Sequence, residues 1–173
     1  MINPDDIIIP LQDEILFSYA PMGTIRMFEM TDGNCMLLDF QAEHLSVVCQ
    51  SEKFDISEKH NITLAYCMLD RLNNELVENA KPGKWILDIN LHENLCFLYV
   101  ANIPSSLPIE AVNIMVRQAW EAIKSTCPKV SLLVNKINRN EASLDDVFGE
   151  LEDQMHVSID PLLMLLNGRE DDE

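Results

Sequence analysis

Along this chain the spacing of apolar residues switches from two to about 3.6, back to two, and again to 3.6, an order that dictates a sheet with helices between its strands. From Ile15 to Gln50 the period is two: Ile25 and Met27, then Cys35 and Leu37, alternate with polar neighbours. Thr31-Asp32-Gly33-Asn34 supplies the tight turn of a hairpin. A third β-branched piece, Leu45-Ser46-Val47-Val48-Cys49, completes a three-stranded antiparallel meander. Ahead of it, Ile7-Ile8-Ile9-Pro10 reads either as an edge strand or as a docked arm.

From Ser57 to Ala80 the period lengthens. Ile62, Ala65, Tyr66, Leu69, Leu72 and Leu76 fall on one helical face, and Asp70, Arg71, Asn74, Glu75 and Glu78 on the other. Pro82-Gly83 is expected to stop this helix, because proline breaks the hydrogen-bond ladder and glycine accepts left-handed backbone. Lys84–Ile89 and Leu95–Ala101, joined through His92-Glu93-Asn94, then read as a second hairpin. Ser105, Ser106 and Pro108 open a second amphipathic helix with Ile109, Val112, Val116, Ala119, Trp120 and Ile123 on its apolar face. Cys127-Pro128 is expected to close it, leaving Val130 to Ile137 as an irregular extension or one more strand. Trp85 and Trp120 read as a facing pair of core aromatics. The expected architecture is α+β, an antiparallel sheet (meander plus hairpin) packed against two main helices.

Residues 1–140 are read as one domain and residues 141–173 as an acidic helical extension. The extension holds eleven of the 29 acidic side chains and one of the 12 basic ones, yet includes the run Leu162-Leu163-Met164-Leu165-Leu166. A segment so charged stays in water unless its apolar residues find a surface. Ser143 caps an expected short helix carrying Leu144, Val147, Phe148 and Leu151, and Asp160-Pro161 opens another turn or two through Leu166. Phe148, Leu151, Leu162, Leu163, Leu165 and Leu166 are therefore expected to dock, on this domain or on a partner. Ile109, Val112, Val116 and Trp120 are the expected dimer or client surface.

A net charge of −17 repels polyanions, which argues against nucleic acid and favours basic segments of other proteins. Cys35, Cys49, Cys67, Cys96 and Cys127 show no zinc or redox spacing and read as buried structural thiols. With an N-terminus lacking a basic region followed by a long apolar one, they suggest a reducing cytoplasm. No apolar run approaches the roughly 20 residues that span a bilayer.

Motifs for catalysis are missing from the sequence. The five glycines, at 23, 33, 83, 149 and 168, write neither a dinucleotide fingerprint nor a phosphate loop. His44, His60, His92 and His156 lie in separate segments without His-Glu-x-x-His. Asp145/Asp146 and Glu150/Glu152/Asp153 lack the ligand order of a calcium loop, and no Gly-x-Ser-x-Gly occurs. The expectation is a protein-binding module without catalytic residues, metal or cofactor.

The order meander, helix, hairpin, helix resembles the fold shared by type III secretion chaperones and the YbjN family. The stretch Leu72 to Thr126 carries the resemblance, from Leu72-Asn73-Asn74-Glu75 through Lys81-Pro82-Gly83-Lys84-Trp85 to Val100-Ala101-Asn102-Ile103-Pro104 and Leu107-Pro108-Ile109-Glu110-Ala111-Val112. It implies a small acidic cytoplasmic homodimer that holds an extended client segment on apolar patches. Pro4 and Pro10 stand where secretion chaperones usually have an amphipathic helix, and 46 residues follow Cys127. Both features lean toward the YbjN side, which implies the alternative of a regulatory or sensory domain with a small-ligand pocket.

Overall fold

A computed structural model describes residues 2–55, 58–89 and 94–147. It is an α+β fold in which one antiparallel sheet carries its described helices on a single face. The strands are β1 (Ile15–Ser18), β2 (Ile25–Met30), β3 (Cys35–Phe40), β4 (His44–Gln50), β5 (Phe54–Asp55), β6 (Lys84–Ile89) and β7 (Asn94–Pro104). β1 to β4 form the meander, four strands rather than three, and β4 pairs with β7 from His44↔Pro104 to Gln50↔Leu98. β5 continues along the same side of β7 at Phe54↔Leu95, and β6 pairs along the other side from Lys84↔Val100 to Ile89↔Leu95.

The period-two reading of the meander holds, and the residues that marked it are not the ones most deeply buried. Phe28, Met30, Met36, Leu38 and Phe40 fill the core, while Ile25, Met27 and Leu37 are half-buried and Cys35 is exposed on the outer face. Both parities are apolar here, and a one-residue choice moves every side chain to the other face. Aromatic Phe28 and Phe40 bury the larger area, so their parity wins.

The helices are α1 (Pro4–Ile8), α2 (Lys59–Glu78) and α3 (Ile109–Asn138), with a 3-10 segment, Ile9–Glu14, after α1. Asn3 Oδ1 accepts from the Asp5 N–H at 3.2 Å, proline starts α1, and Asp5 and Asp6 face its positive end. Of the two readings for this region, the docked arm is the one observed: Ile7 and Leu11 are buried, and Arg117 Nη2 donates to Pro10 O at 2.6 Å.

α2 is rotated from the expected face. Asn61, Leu64, Ala65, Met68, Arg71, Leu72 and Leu76 are buried, whereas Tyr66 is 62 % exposed and Arg71, expected outside, is inside. α2 stops at a different residue too. Ala80 takes φ 53, so that the Lys81 N–H reaches Leu76 O at 2.9 Å and the Ala80 N–H reaches Val77 O at 3.1 Å. This six-to-one closure ends the helix before Pro82.

α3 does not close at Pro128. Its apolar stripe continues through Cys127, Val130, Leu133, Val134 and Ile137, all buried. An interior proline costs about 3 kcal/mol, while burying four such aliphatic side chains yields roughly 6–12 kcal/mol, so the helix continues. Pro128 sits on the exposed side, where the carbonyl it leaves unpaired can meet water.

The first residues of the expected extension dock on the domain. Ser143 begins a helical turn over residues 144–147. Its N–H donates to Asp146 Oδ2 at 2.7 Å, while Asp146 pairs with Lys136 of α3 and Val147 is fully buried. The Lys136 ammonium, and secondarily the Ser143 N–H, holds the Asp146 carboxyl below its ordinary 3.8. A carboxyl lowered by folding stabilises the fold above its unfolded pKa and stops doing so as pH falls through the folded value. Urea midpoints are therefore expected to fall below about pH 4, and an Asp146→Asn variant to lose part of that dependence; equal slopes in the two proteins would contradict the pairing.

Candidate functional site

The face of the sheet turned away from the helices carries a row of apolar side chains in direct register. Met27 lies opposite Leu37, Leu37 opposite Val48, and Val48 opposite Val100. At one end the Tyr19 N–H bonds to Met27 O at 3.0 Å, and Phe17 stacks edge-on against Tyr19 with ring centroids 4.9 Å apart. At the other end Leu98 and its β6 partner Ile86 extend the row. Strands spaced about 4.8 Å apart make the row from β1 to β7 roughly 19 Å long, the span of an extended segment of about six residues.

Exposure rises toward β1. Met27, Leu37, Val48, Val100, Leu98 and Ile86 are half-buried, whereas Phe17 is 53 % and Leu16 66 % exposed, with Tyr19 and Met22 exposed beside them. No described helix covers this face. Its flank is polar: Asp39 lies opposite Ser46, and Ser46 Oγ donates to Asn102 Oδ1 at 2.7 Å. Thr24 Oγ1 and Gln41 Nε2 both donate to Asp39, holding its carboxyl below the usual range, Gln41 contributing most. The rim is thus a fixed negative charge beside an apolar track.

The two sheet edges differ. On β6 the Asn73 side chain imitates a neighbouring strand, accepting from the Trp85 N–H at 2.8 Å and donating to Trp85 O at 3.0 Å. That contact blocks strand addition there. β1 is the other edge, and residues 15–25 around it contain no charged side chain.

The residues expected to be the surface are placed otherwise. Val112, Val116 and Trp120 are buried between α3, the sheet and the N-terminal arm, and Ile109 is half-buried. The expected dimer or client surface on α3 is therefore corrected: an apolar helix face reads the same whether it meets its own sheet or a partner, and here its own chain occupies it. Phe148, Leu151, Leu162, Leu163, Leu165 and Leu166 lie outside the described residues. Trp85 and Trp120 are both core residues, but with separate partners. Trp85 meets Tyr99 at 5.7 Å and donates to Thr126 Oγ1 at 2.9 Å, and Trp120 donates to Glu14 Oε2 at 3.3 Å.

Sequence reasoning missed the outer-face row, because period two places Met27 and Leu37 on one face of the strands without saying which face turns inward. Missed as well was the meeting of Cys49 and Cys127, 78 positions apart, whose sulfurs lie 3.6 Å from each other. Among the described residues no group of His, Cys, Asp and Glu is placed to hold a metal ion, and no helix is long and apolar enough to cross a membrane.

No protein-family model and no curated protein matches the chain by sequence. Among the solved structures that resemble it are two of low sequence identity. An uncharacterized protein from Methanothermobacter thermautotrophicus is 9 % identical with a TM-score of 0.40, covering 75 % of this chain and 98 % of its own. YbjN from E. coli, a candidate transcription regulator, is 15 % identical with a TM-score of 0.51, covering 69 % of this chain and 82 % of its own. What the likeness to YbjN shows is the fold, and the chain accordingly has a YbjN-like α+β fold.

Proposed function

We propose that this protein is a non-enzymatic binding module, a small chaperone or adaptor that holds an extended apolar segment of another protein across the outer face of its sheet. The observation that carries the reading is the registered row Tyr19, Met27, Leu37, Val48 and Val100, left open by every described helix. Area that stays apolar on an otherwise acidic chain is an interaction surface. The net charge of −17 and the ionised Asp39 on the flank favour a segment with basic residues beside its apolar ones. The type III secretion-chaperone resemblance points the same way, and a homodimer would place two such faces in one assembly.

The test uses a fluorescein-labelled peptide of alternating leucine and serine flanked by paired lysines, titrated with the full chain. Leu37→Asp or Val48→Asp sets a carboxylate without a partner in the track, and the affinity is expected to drop at least about tenfold. Val77→Asp, at a position 79 % exposed on α2, is expected to bind as wild type. Equal affinity in all four proteins, or no binding by wild type, would defeat the proposal.

The second reading, a regulatory domain with a small-ligand pocket, draws its support from YbjN alone. One cleft among the described residues, about 540 Å³, is lined by Glu75, Leu76, Asn79, Lys81, Glu121 and Ser125. This cleft is lined mostly by charged and polar side chains, and its Lys81 is paired with Glu121 at 2.8 Å.

A further inference from the structure

Cys49 lies on the helix-facing side of β4 and Cys127 on α3, 3 % and 6 % exposed, with the two sulfurs 3.6 Å apart. A pair of valines would fill such a site equally well. Two thiols in contact add something that valines cannot, a reversible two-electron couple. A disulfide requires sulfurs at about 2.05 Å, so the pair must close by roughly 1.5 Å, a movement within reach of side-chain rotation. Both partners belong to well-packed elements, and the bond would fasten the middle of α3 to the middle of the sheet.

The closed fold restrains this chemistry. The hydrogen bond to Cys127, and then burial, raise the Cys49 thiol well above its ordinary range, so it remains protonated, and a protonated thiol is a poor nucleophile. Release is built into the next residue. Pro128 removes one rung of the α3 ladder beside Cys127 and stands on the exposed side. Local opening of a helix is easiest where a rung is already missing, and opening there uncovers Cys127, the more exposed of the two residues.

We infer that Cys49 and Cys127 form a redox staple, closed by a peroxide, that locks α3 onto β4. The Cys127 thiol is first oxidised by the peroxide to a sulfenic acid with release of water. The Cys49 sulfur then attacks that sulfur, the S–O bond breaks as the S–S bond forms, and the hydroxyl departs with the Cys49 proton as a second water. The two thiols give up two electrons and the peroxide accepts them. Cys49 is flanked on β4 by Val48, a member of the outer-face row. The staple therefore fixes the strand that supplies Val48 to the row.

The experiment uses the full chain carrying Cys35→Ser and Cys67→Ser, which removes the exposed and half-buried thiols, and treats it with hydrogen peroxide. Remaining thiols are alkylated with N-ethylmaleimide in denaturant and peptides are mapped by mass spectrometry. Expected is a cross-linked Cys49–Cys127 peptide lighter by two hydrogens, a raised melting temperature, and reversal of both by dithiothreitol. In a further Cys49→Ala variant, Cys127 is expected to react with dimedone and the melting temperature not to rise. Full alkylation of both thiols after peroxide exposure, or over-oxidation of Cys127 without a cross-link, would overturn the inference. Cys49→Ala separates loss of the staple from misfolding, because alanine occupies the site without a sulfur.

Discussion

Replacing Trp120 by alanine is expected to remove about 3–5 kcal/mol of folding stability and to leave affinity for an apolar peptide unchanged as long as the protein is folded. The side chain is fully buried, so the substitution opens a cavity among α3, the sheet and the N-terminal arm. Two further contacts converge on it, and a third joins their partners. Its Nε1 donates to Glu14 at 3.3 Å, Lys124 stands over the ring at 5.6 Å, and Lys124 also pairs with Glu14 at 3.5 Å. Domains of this size are stable by about 5–15 kcal/mol, so the loss takes a large share. A partner-surface role makes the opposite prediction, intact stability and lost binding. Urea unfolding of the variant beside peptide titration at low urea distinguishes the two, and an unchanged urea midpoint would return Trp120 to the surface.

Much of the fold was legible because apolar period survives any choice of face. The hairpin of β6 and β7, the extent of α2 and the start of α3 follow from spacing and from Pro108. What spacing leaves open is which parity or which side turns inward. In β2 and β3 both parities are apolar, and the choice of Phe28 and Phe40 for the core is what leaves Met27 and Leu37 on the open face. In α2, Ile62, Tyr66 and Leu69 compete with Leu64 and Met68 for the inside, and packing on β6 decides between neighbouring faces. Pro128 is a local rule overruled by the buried stripe beyond it. The Cys49–Cys127 contact had no local signal at all, since 78 positions separate the two residues and only the α3-on-β4 packing joins them.

Gly83→Ala is expected to destabilise the protein by about 2–5 kcal/mol, the sum of left-handed strain and overpacking, although glycine-to-alanine changes at compatible sites usually stabilise. Gly83 has φ +85, and a Cβ there would lie 2.5 Å from Tyr99 Oη, 2.6 Å from its Cζ and 2.8 Å from Val100 O. Neither neighbour can yield cheaply. Val100 belongs to the central strand, paired on both sides, and the Tyr99 ring is buried against Trp85 with its hydroxyl donating to Pro82 O. Gly33 isolates the conformational part. It has φ +89 with nothing within 4 Å of the added carbon, so Gly33→Ala is expected to cost only about 1–2 kcal/mol. In a Tyr99→Phe background the hydroxyl is gone but Cζ remains, and only part of the Gly83→Ala cost is expected to return. Equal shifts in the urea midpoints of Gly83→Ala and Gly33→Ala, at unchanged slope, would rule out the close approach. Since Ala80 already ends α2, the glycine that sequence reasoning assigned to the helix stop serves instead to let the chain cross over Tyr99 and enter β6, the strand that aligns Trp85 with Asn73 and blocks that edge of the sheet.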